Sequence, residues 1–244
     1  MTTGASGSQE AEPAASTARA VPPREVAWRL FAHELTSSSV QEKGEGEKAA
    51  THVLSPLGAR VGRVLMVGTF TQIEPLGEGT VPMWRSRLTD PTGGVSVTAG
   101  PYQPRAAAFL SQARAPCRAL LVGKPHLFLG REGVPLVSIR AELLVSTSAQ
   151  EESDWVRETA GHTLRRIELC QEVLGADGAE VGPSLKGCPA RWAGDARSVL
   201  RHYPGADPGR FVTTARSALA KVTATADAPA GLTGNGEVPL PSES

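Results

Sequence analysis

Residues 60–146 read as three β-type runs, a short helical stretch and two further β-type runs, an order that few small folds accommodate. The first run, Arg60 to Ile73, is long and contains Gly62 and Gly68. Glycine inside a strand marks a bulge or a sharp bend. A second run spans Val81–Thr89, and Asp90-Pro91-Thr92-Gly93-Gly94 makes a turn into the alternating Val95–Ala99. Pro104 opens a helix to about Gln112. Cys117–Gly123, continued by Leu127-Phe128-Leu129, and Val134–Leu144 are the last two runs, separated by a turn at Gly130–Gly133. Five strands with a helix between the third and fourth predict an OB-fold, a Greek-key β barrel. Another small barrel or an α+β sheet has a similar signature. A first strand that bends at its glycines favours the OB-fold, whose strand one pairs within both layers.

The flanks read differently. Residues 1–22 and 225–244 are rich in Ala, Ser, Gly and Pro and are expected to be disordered tails. Residues 23–59 are expected to hold an N-terminal helix, with Val26, Ala27, Leu30, Phe31 and Leu35 as its apolar stripe, and then a polar linker over Ser37–Lys48. Residues 147–224 are expected to form C-terminal helices. The first is capped by Ser148 and Glu151 and runs five to six turns; a second lies near 189–203, after a loop over 175–187, and a third follows Asp207-Pro208. Trp28, Trp155 and Trp192 are expected anchors of these flanks, and Leu65, Phe70 and Phe109 are expected in the core.

Charge separates the barrel from its flanks. The 244 residues carry no net charge, yet residues 60–145 hold 10 basic and 5 acidic side chains while both flanks are acidic. A basic β-domain between acidic ends suits a polyanion-binding module; basic sheet edges that only discourage aggregation leave the same excess. The three cysteines, Cys117, Cys170 and Cys188, form no CxxC pair, and the five histidines show no metal-ligand spacing. No cofactor, metal site or catalytic motif such as GxxxxGK[ST], GxSxG or HExxH is present, so the expectation is a protein without enzymatic activity. The sequence has neither an 18-residue apolar run nor a signal-type N-terminus, which predicts a cytoplasmic chain.

Several segments together resemble a known family. Asp90-Pro91-Thr92-Gly93, followed by Val95 through Pro104 (VSVTAGPYQP), is similar to the hairpin and strand-three exit of the archaeal replication protein A-associated OB-fold proteins. Arg24–Ala32, Ser55–Val61 and His202-Tyr203 extend the resemblance over residues 24–222. It implies a noncatalytic accessory subunit that binds single-stranded DNA with replication protein A, in replication and repair. An alternative is a subunit that stabilises a replication protein A complex with little contact to DNA.

Single strands expose base faces and closely spaced phosphates, so a binder needs aromatic platforms beside cations. A base stacked on an aromatic contributes roughly 1–3 kcal/mol. OB-folds place such groups on the face of strands two and three and on nearby loops. The candidates are Arg63, Trp84, Arg85, Arg87, Tyr102, Arg105, Lys124, Phe128 and Arg140. Phe128 reads equally as core, and Tyr102 as a structural plug. Alternation puts Arg85 and Arg87 on one strand face and Trp84 on the other. Val156, Ala160, Leu164 and Ile167 line one face of the first C-terminal helix and are the candidate partner surface; packing within the chain is the other, default reading of the same stripe.

Overall fold

The computed structural model describes residues 25–44, 50–77, 83–175, 192, 196–197 and 201–227. The expected tail 1–22, the loop beyond Gly175, most of the expected helix at 189–203 and the end of the chain from 228 lie outside the described residues. In chain order the elements are β1 (Trp28–Arg29), α1 (Ala32–Thr36), β2 (Val40–Lys43), β3 (Thr51–Leu54), β4 (Arg60–Val61), β5 (Val64–Leu76), β6 (Met83–Asp90) and β7 (Gly93–Ala99). Then come α2 (Pro104–Gln112), β8 (Cys117–Leu129), β9 (Pro135–Ser146), α3 (Ala149–Gly175) and α4 (Gly209–Asp227).

Strands β5 to β9 close on themselves. β5 pairs antiparallel with β6, β6 with β7, and β8 with both β9 and β5, while β7 and β9 run parallel. This ring, with α2 between its third and fourth strands, is the five-stranded OB-fold barrel. β5 pairs with β8 through Val64–Phe70 and with β6 from Thr69 to Leu76, and a bulge lies between Phe70 and Gln72 where it changes partner. Gly68 sits at that crossing, where a methyl group would run into the carbonyl oxygen of Thr89. A second bulge falls between Val122 and Gly123; there a Cβ would lie 2.5 Å from Ile139 Cγ2 and 2.6 Å from the Arg140 carbonyl oxygen. The bends are therefore built where two backbones approach closely. Inside, Val64, Met66, Phe70, Leu88, Val97, Leu121 and Ile139 are fully buried. Phe109 and Leu65 are only partly buried and pack against this core from its margin.

The N-terminal segment departs from the expected helix. Trp28-Arg29 instead pairs parallel with Val64-Leu65 of β5, and only Ala32–Thr36 is helical. Leu30, Phe31, Ala32 and Leu35 are all buried, so the chain here is enclosed on every side rather than on one stripe. Asp90 receives it: its Oδ2 accepts the Ala32 N–H at 2.6 Å, while Oδ1 accepts the Thr92 N–H at 2.7 Å and the Thr92 hydroxyl at 2.6 Å. Burial pushes the Asp90 carboxyl up, and these donors act against that shift. The expected linker contains a strand: β2 pairs with β3, and β3 pairs with Arg60-Val61, which leave the barrel strand to complete a three-stranded sheet. Tyr203 fastens this sheet, its hydroxyl donating to the Leu54 carbonyl at 2.7 Å and accepting the Ser39 N–H at 2.9 Å.

α3 spans 27 residues, longer than the expected five to six turns. Its capping box is formed: Ser148 Oγ accepts the Glu151 N–H at 3.2 Å, and Glu151 Oε2 accepts the Ser148 N–H at 2.8 Å. The stripe offered as a candidate partner surface is covered by the chain itself, as in its default reading of packing within the chain, and so is not free for a partner. Val156 and Ala160 belong to the main core, Ile167 packs with Leu57 and Phe211, and Leu164 is partly buried among both sets. The amphipathic face is real, but α4 and the barrel occupy it. Trp28 and Trp192 stack with centroids 5.4 Å apart, and Phe31 meets Trp155 edge-on, so the tryptophans join flank to flank.

Beneath these rings lies a buried ion pair. Arg166 Nη2 is 2.5 Å from Glu34 Oε2, with the two side chains 2% and 1% exposed. Ser55 Oγ donates to the other Glu34 oxygen at 2.9 Å. Burial first, and the Glu34 charge second, push the nearby Cys170 thiol up to about 12. Cys170 is thus expected to resist alkylation by iodoacetamide at mildly alkaline pH in the native protein and to react once denatured. Rapid native labelling at Cys170, located by peptide mass, would contradict that packing.

Candidate nucleic-acid interface

Side chains on a strand alternate between faces, and cross-strand partners share a face. Val95, Val97, Val137, Ile139, Leu121 and Gly123 point into the barrel, leaving their neighbours outward. The pairing then aligns these outward residues in rows. One row runs Glu74, Arg85, Thr98, Arg140, Lys124 across five strands. The next runs Gln72, Arg87, Ser96, Ser138, His126. Two residues further along β8 and β9, Phe128 faces Leu136, and both are exposed. The face is thus polar and cationic, with an apolar end.

Not every cation on it is equally available. Arg85 Nη2 lies 3.0 Å from Glu74 Oε2, both well exposed. Arg87 and Arg140 have no carboxylate partner among the described residues, and the Arg87 guanidinium lies across Gly94, where a Cβ would come within 2.7 Å of its Nε. Gln72, Glu74, Arg85, Ser86, Arg87 and Ser96 line a shallow groove of about 340 Å³.

Beyond Thr98 the chain leaves β7 through Pro101-Tyr102 and enters α2, making one wall of an open cleft of about 510 Å³. Arg63, Tyr102, Gln103, Pro104, Arg105, Lys124 and Glu142 line it. Tyr102 is 91% exposed, so it does not plug the fold. Arg105 lies in the first turn of α2, where the positive end of the helix dipole adds to the local potential. Arg63 is only 14% exposed; its Nε sits 2.6 Å from Glu142 Oε2, and its Nη1 donates to the Glu25 carbonyl at 3.3 Å. Lys124 Nζ is 3.9 Å from the other Glu142 oxygen.

The structure therefore brings together eight of the nine expected residues: Arg63, Tyr102, Arg105 and Lys124 in the cleft, Arg85, Arg87 and Arg140 on the rows beside it, and Phe128 at the far end. Trp84 stands apart. It points opposite to Arg85 and Arg87 and lies against α2, lining a separate apolar groove with Pro101, Pro104 and Ala107. Residues not singled out from the sequence include His126, Ser138 and Leu136; the period-two spacing of Lys124, His126 and Phe128 is a signal for His126, whereas Ser138 and Leu136 join it through the β8–β9 pairing. Glu74 and Glu142, which neutralise part of the face, carry no such signal, because their partners lie on other strands.

No protein-family description matches the chain, and no curated protein does. Among solved structures, the second single-stranded DNA-binding protein of Mycobacterium smegmatis aligns at 17% identity over 35% of this chain and 84% of its own, with a TM-score of 0.29. The small single-stranded DNA-binding protein of Streptomyces coelicolor aligns at 17% identity over 36% of this chain and 95% of its own, with a TM-score of 0.28. Yeast Stn1 and Ten1 align at 12% identity over 44% and 55%, with a TM-score of 0.33. These likenesses are partial, and the fold rests on the strand pairing itself.

Proposed function

We propose that this protein binds single-stranded nucleic acid, DNA in particular, along the outward face of β6, β7, β9 and β8, and that it does so without catalysis. The observation that carries this reading is the pair of cross-strand rows, which line up Arg85, Arg87, Arg140 and Lys124 beside the Tyr102 cleft. A flexible polyanion laid over the rows meets Arg140 and Lys124 on neighbouring strands, about 4.8 Å apart, and Arg85 two strands beyond Arg140. Tyr102 and Phe128 offer exposed rings near the cleft and at the apolar end, where bases stack. A duplex presents no free base faces to those rings, so the arrangement favours single strands.

The finer reading is an accessory subunit that works beside replication protein A in replication and repair. It rests on the resemblance of the Asp90–Gly93 turn and the Gly100–Pro104 exit. Within the described residues Asp90 and Thr92 do structural work, holding the start of α1, and Tyr102 is the aromatic side chain of those motifs, exposed to solvent. A second reading, a subunit that stabilises the replication protein A complex with little contact to DNA, is favoured by the inward turn of Trp84.

Fluorescence anisotropy with labelled single-stranded DNA, single-stranded RNA and duplex DNA tests the proposal. Single-stranded DNA is expected to bind most tightly, and its affinity should fall steeply between about 50 and 200 mM salt. No binding to any oligonucleotide, by the protein alone or with replication protein A, would overturn the reading. Co-purification with replication protein A, together with DNA affinity indifferent to Tyr102→Ala, would select the second reading.

A further inference from the structure

The cleft at the end of the rows already holds an anion of its own. Glu142 lies between Arg63 and Lys124, with one carboxylate oxygen 2.6 Å from Arg63 Nε and the other 3.9 Å from Lys124 Nζ. Two oxygens of one anionic group facing a guanidinium and an ammonium is also the arrangement a phosphate makes with Arg and Lys. Tyr102, Gln103 and Arg105 complete the cleft wall, so a nucleotide phosphate seated there would have a ring and a third cation beside it.

We propose that Glu142 is a built-in competitor for the phosphate of a bound strand, occupying the Arg63–Lys124 position in the free protein and yielding it on binding. This rests on the reading of the outward face as a single-strand track. The Glu142 side chain is 30% exposed and Lys124 is 56% exposed, so the carboxylate can swing toward water without unfolding its strand. Arg63 is held from behind by the Glu25 carbonyl and stays in place when Glu142 leaves. Competition of this kind lowers affinity for every anion. It lowers it least for a polyanion, whose other phosphates still rest on Arg87 and Arg140. The cleft therefore discriminates against single phosphates in favour of long strands.

The test compares wild type, Glu142→Gln, and Glu142→Gln combined with Arg63→Met and Lys124→Met, using a labelled thymidine oligonucleotide and a thymidine mononucleotide as probes. Glu142→Gln is expected to bind the oligonucleotide about five- to tenfold more tightly at low salt. Its salt slope should steepen by roughly 0.7 for each cation released to phosphate. The gain for the mononucleotide should be at least as large, and both gains should vanish when Arg63 and Lys124 are replaced. If Glu142→Gln melts well below wild type, Glu142→Asp, which withdraws the carboxylate by one methylene but keeps its charge, is expected to give a smaller gain in the same direction. Wild-type binding with no gain in the variant overturns this proposal and leaves the single-strand reading standing. A gain that survives loss of both cations also overturns it, because the effect is then one of net charge. Binding by neither protein overturns both.

Discussion

Glu34→Ala is expected to destabilise the fold by about 3–5 kcal/mol, because it leaves the Arg166 guanidinium charged and enclosed without its counter-charge. Among the described residues, Arg166 has few other compensations. Its Nη2 donates to Thr163 Oγ1 at 3.2 Å, its guanidinium carbon lies 5.8 Å from the Trp192 ring centroid, and its Nε and Nη1 are buried without hydrogen-bond partners among the described residues. Ser55 Oγ, which also receives the Ala59 N–H at 3.1 Å, would lose its acceptor on Glu34. One substitution thus loosens α1, the turn after β3 and α3 together. Urea denaturation followed by circular dichroism measures the loss. Replacing both partners by apolar residues, Glu34→Leu with Arg166→Met, should recover most of it, since two solvated charges no longer have to be enclosed. A single variant within 1 kcal/mol of wild type would show that the pair is not a fastening point.

That pair also marks where local sequence patterns stop being informative. The barrel was legible because its strands are long, its turns carry Gly and Pro at the required places, and Gly68 stands where β5 changes partners. The N-terminal segment was not. Its apolar residues fall at helical spacing, yet adjacent Leu30 and Phe31 are both buried, because β5, Asp90 and α3 surround the chain. No window of neighbouring residues contains that information. Val40–Lys43 hid for a related reason: its residues alternate between half-buried and exposed, which reads as a polar linker until β3 is placed beside it. On α3 the apolar face was readable, while its cover, Leu57 and Phe211 from distant segments, was not.

The interface was legible in the same uneven way. Alternation alone separated Trp84 from Arg85 and Arg87, and the strand pairing agrees with it. Lateral order is a different matter: Lys124 meets Arg140, and Arg140 meets Thr98, only because β9 runs between β8 and β7. The chain order of five strands does not state which are neighbours until the barrel closes. The acidic partners are equally non-local, with Glu74 and Glu142 belonging to the first and last barrel strands. Counting basic residues over 60–145 therefore overstates the free positive charge on the face.

This distinction sets the largest expected effect on binding. Arg87 and Arg140 face outward on adjacent rows without a carboxylate partner among the described residues, so neutralising them removes charge that is free to meet phosphate. Arg87→Gln with Arg140→Gln is expected to weaken single-stranded DNA binding by about ten- to a hundredfold at low salt. It should also flatten the dependence of log affinity on log salt by roughly 1.4, about 0.7 for each phosphate no longer neutralised. Arg85→Gln should do less, because Arg85 already shares its charge with Glu74 at 3.0 Å and releasing that carboxylate adds repulsion without removing a free cation. Trp84→Ala should alter thermal stability while leaving single-strand affinity nearly intact, as its ring packs against α2 rather than along the rows. Anisotropy titrations at three or more salt concentrations separate these cases. A slope unchanged in the Arg87/Arg140 variant would remove the rows from the site, and an affinity lowered at every salt concentration by Trp84→Ala would move the strand to the other side of β6.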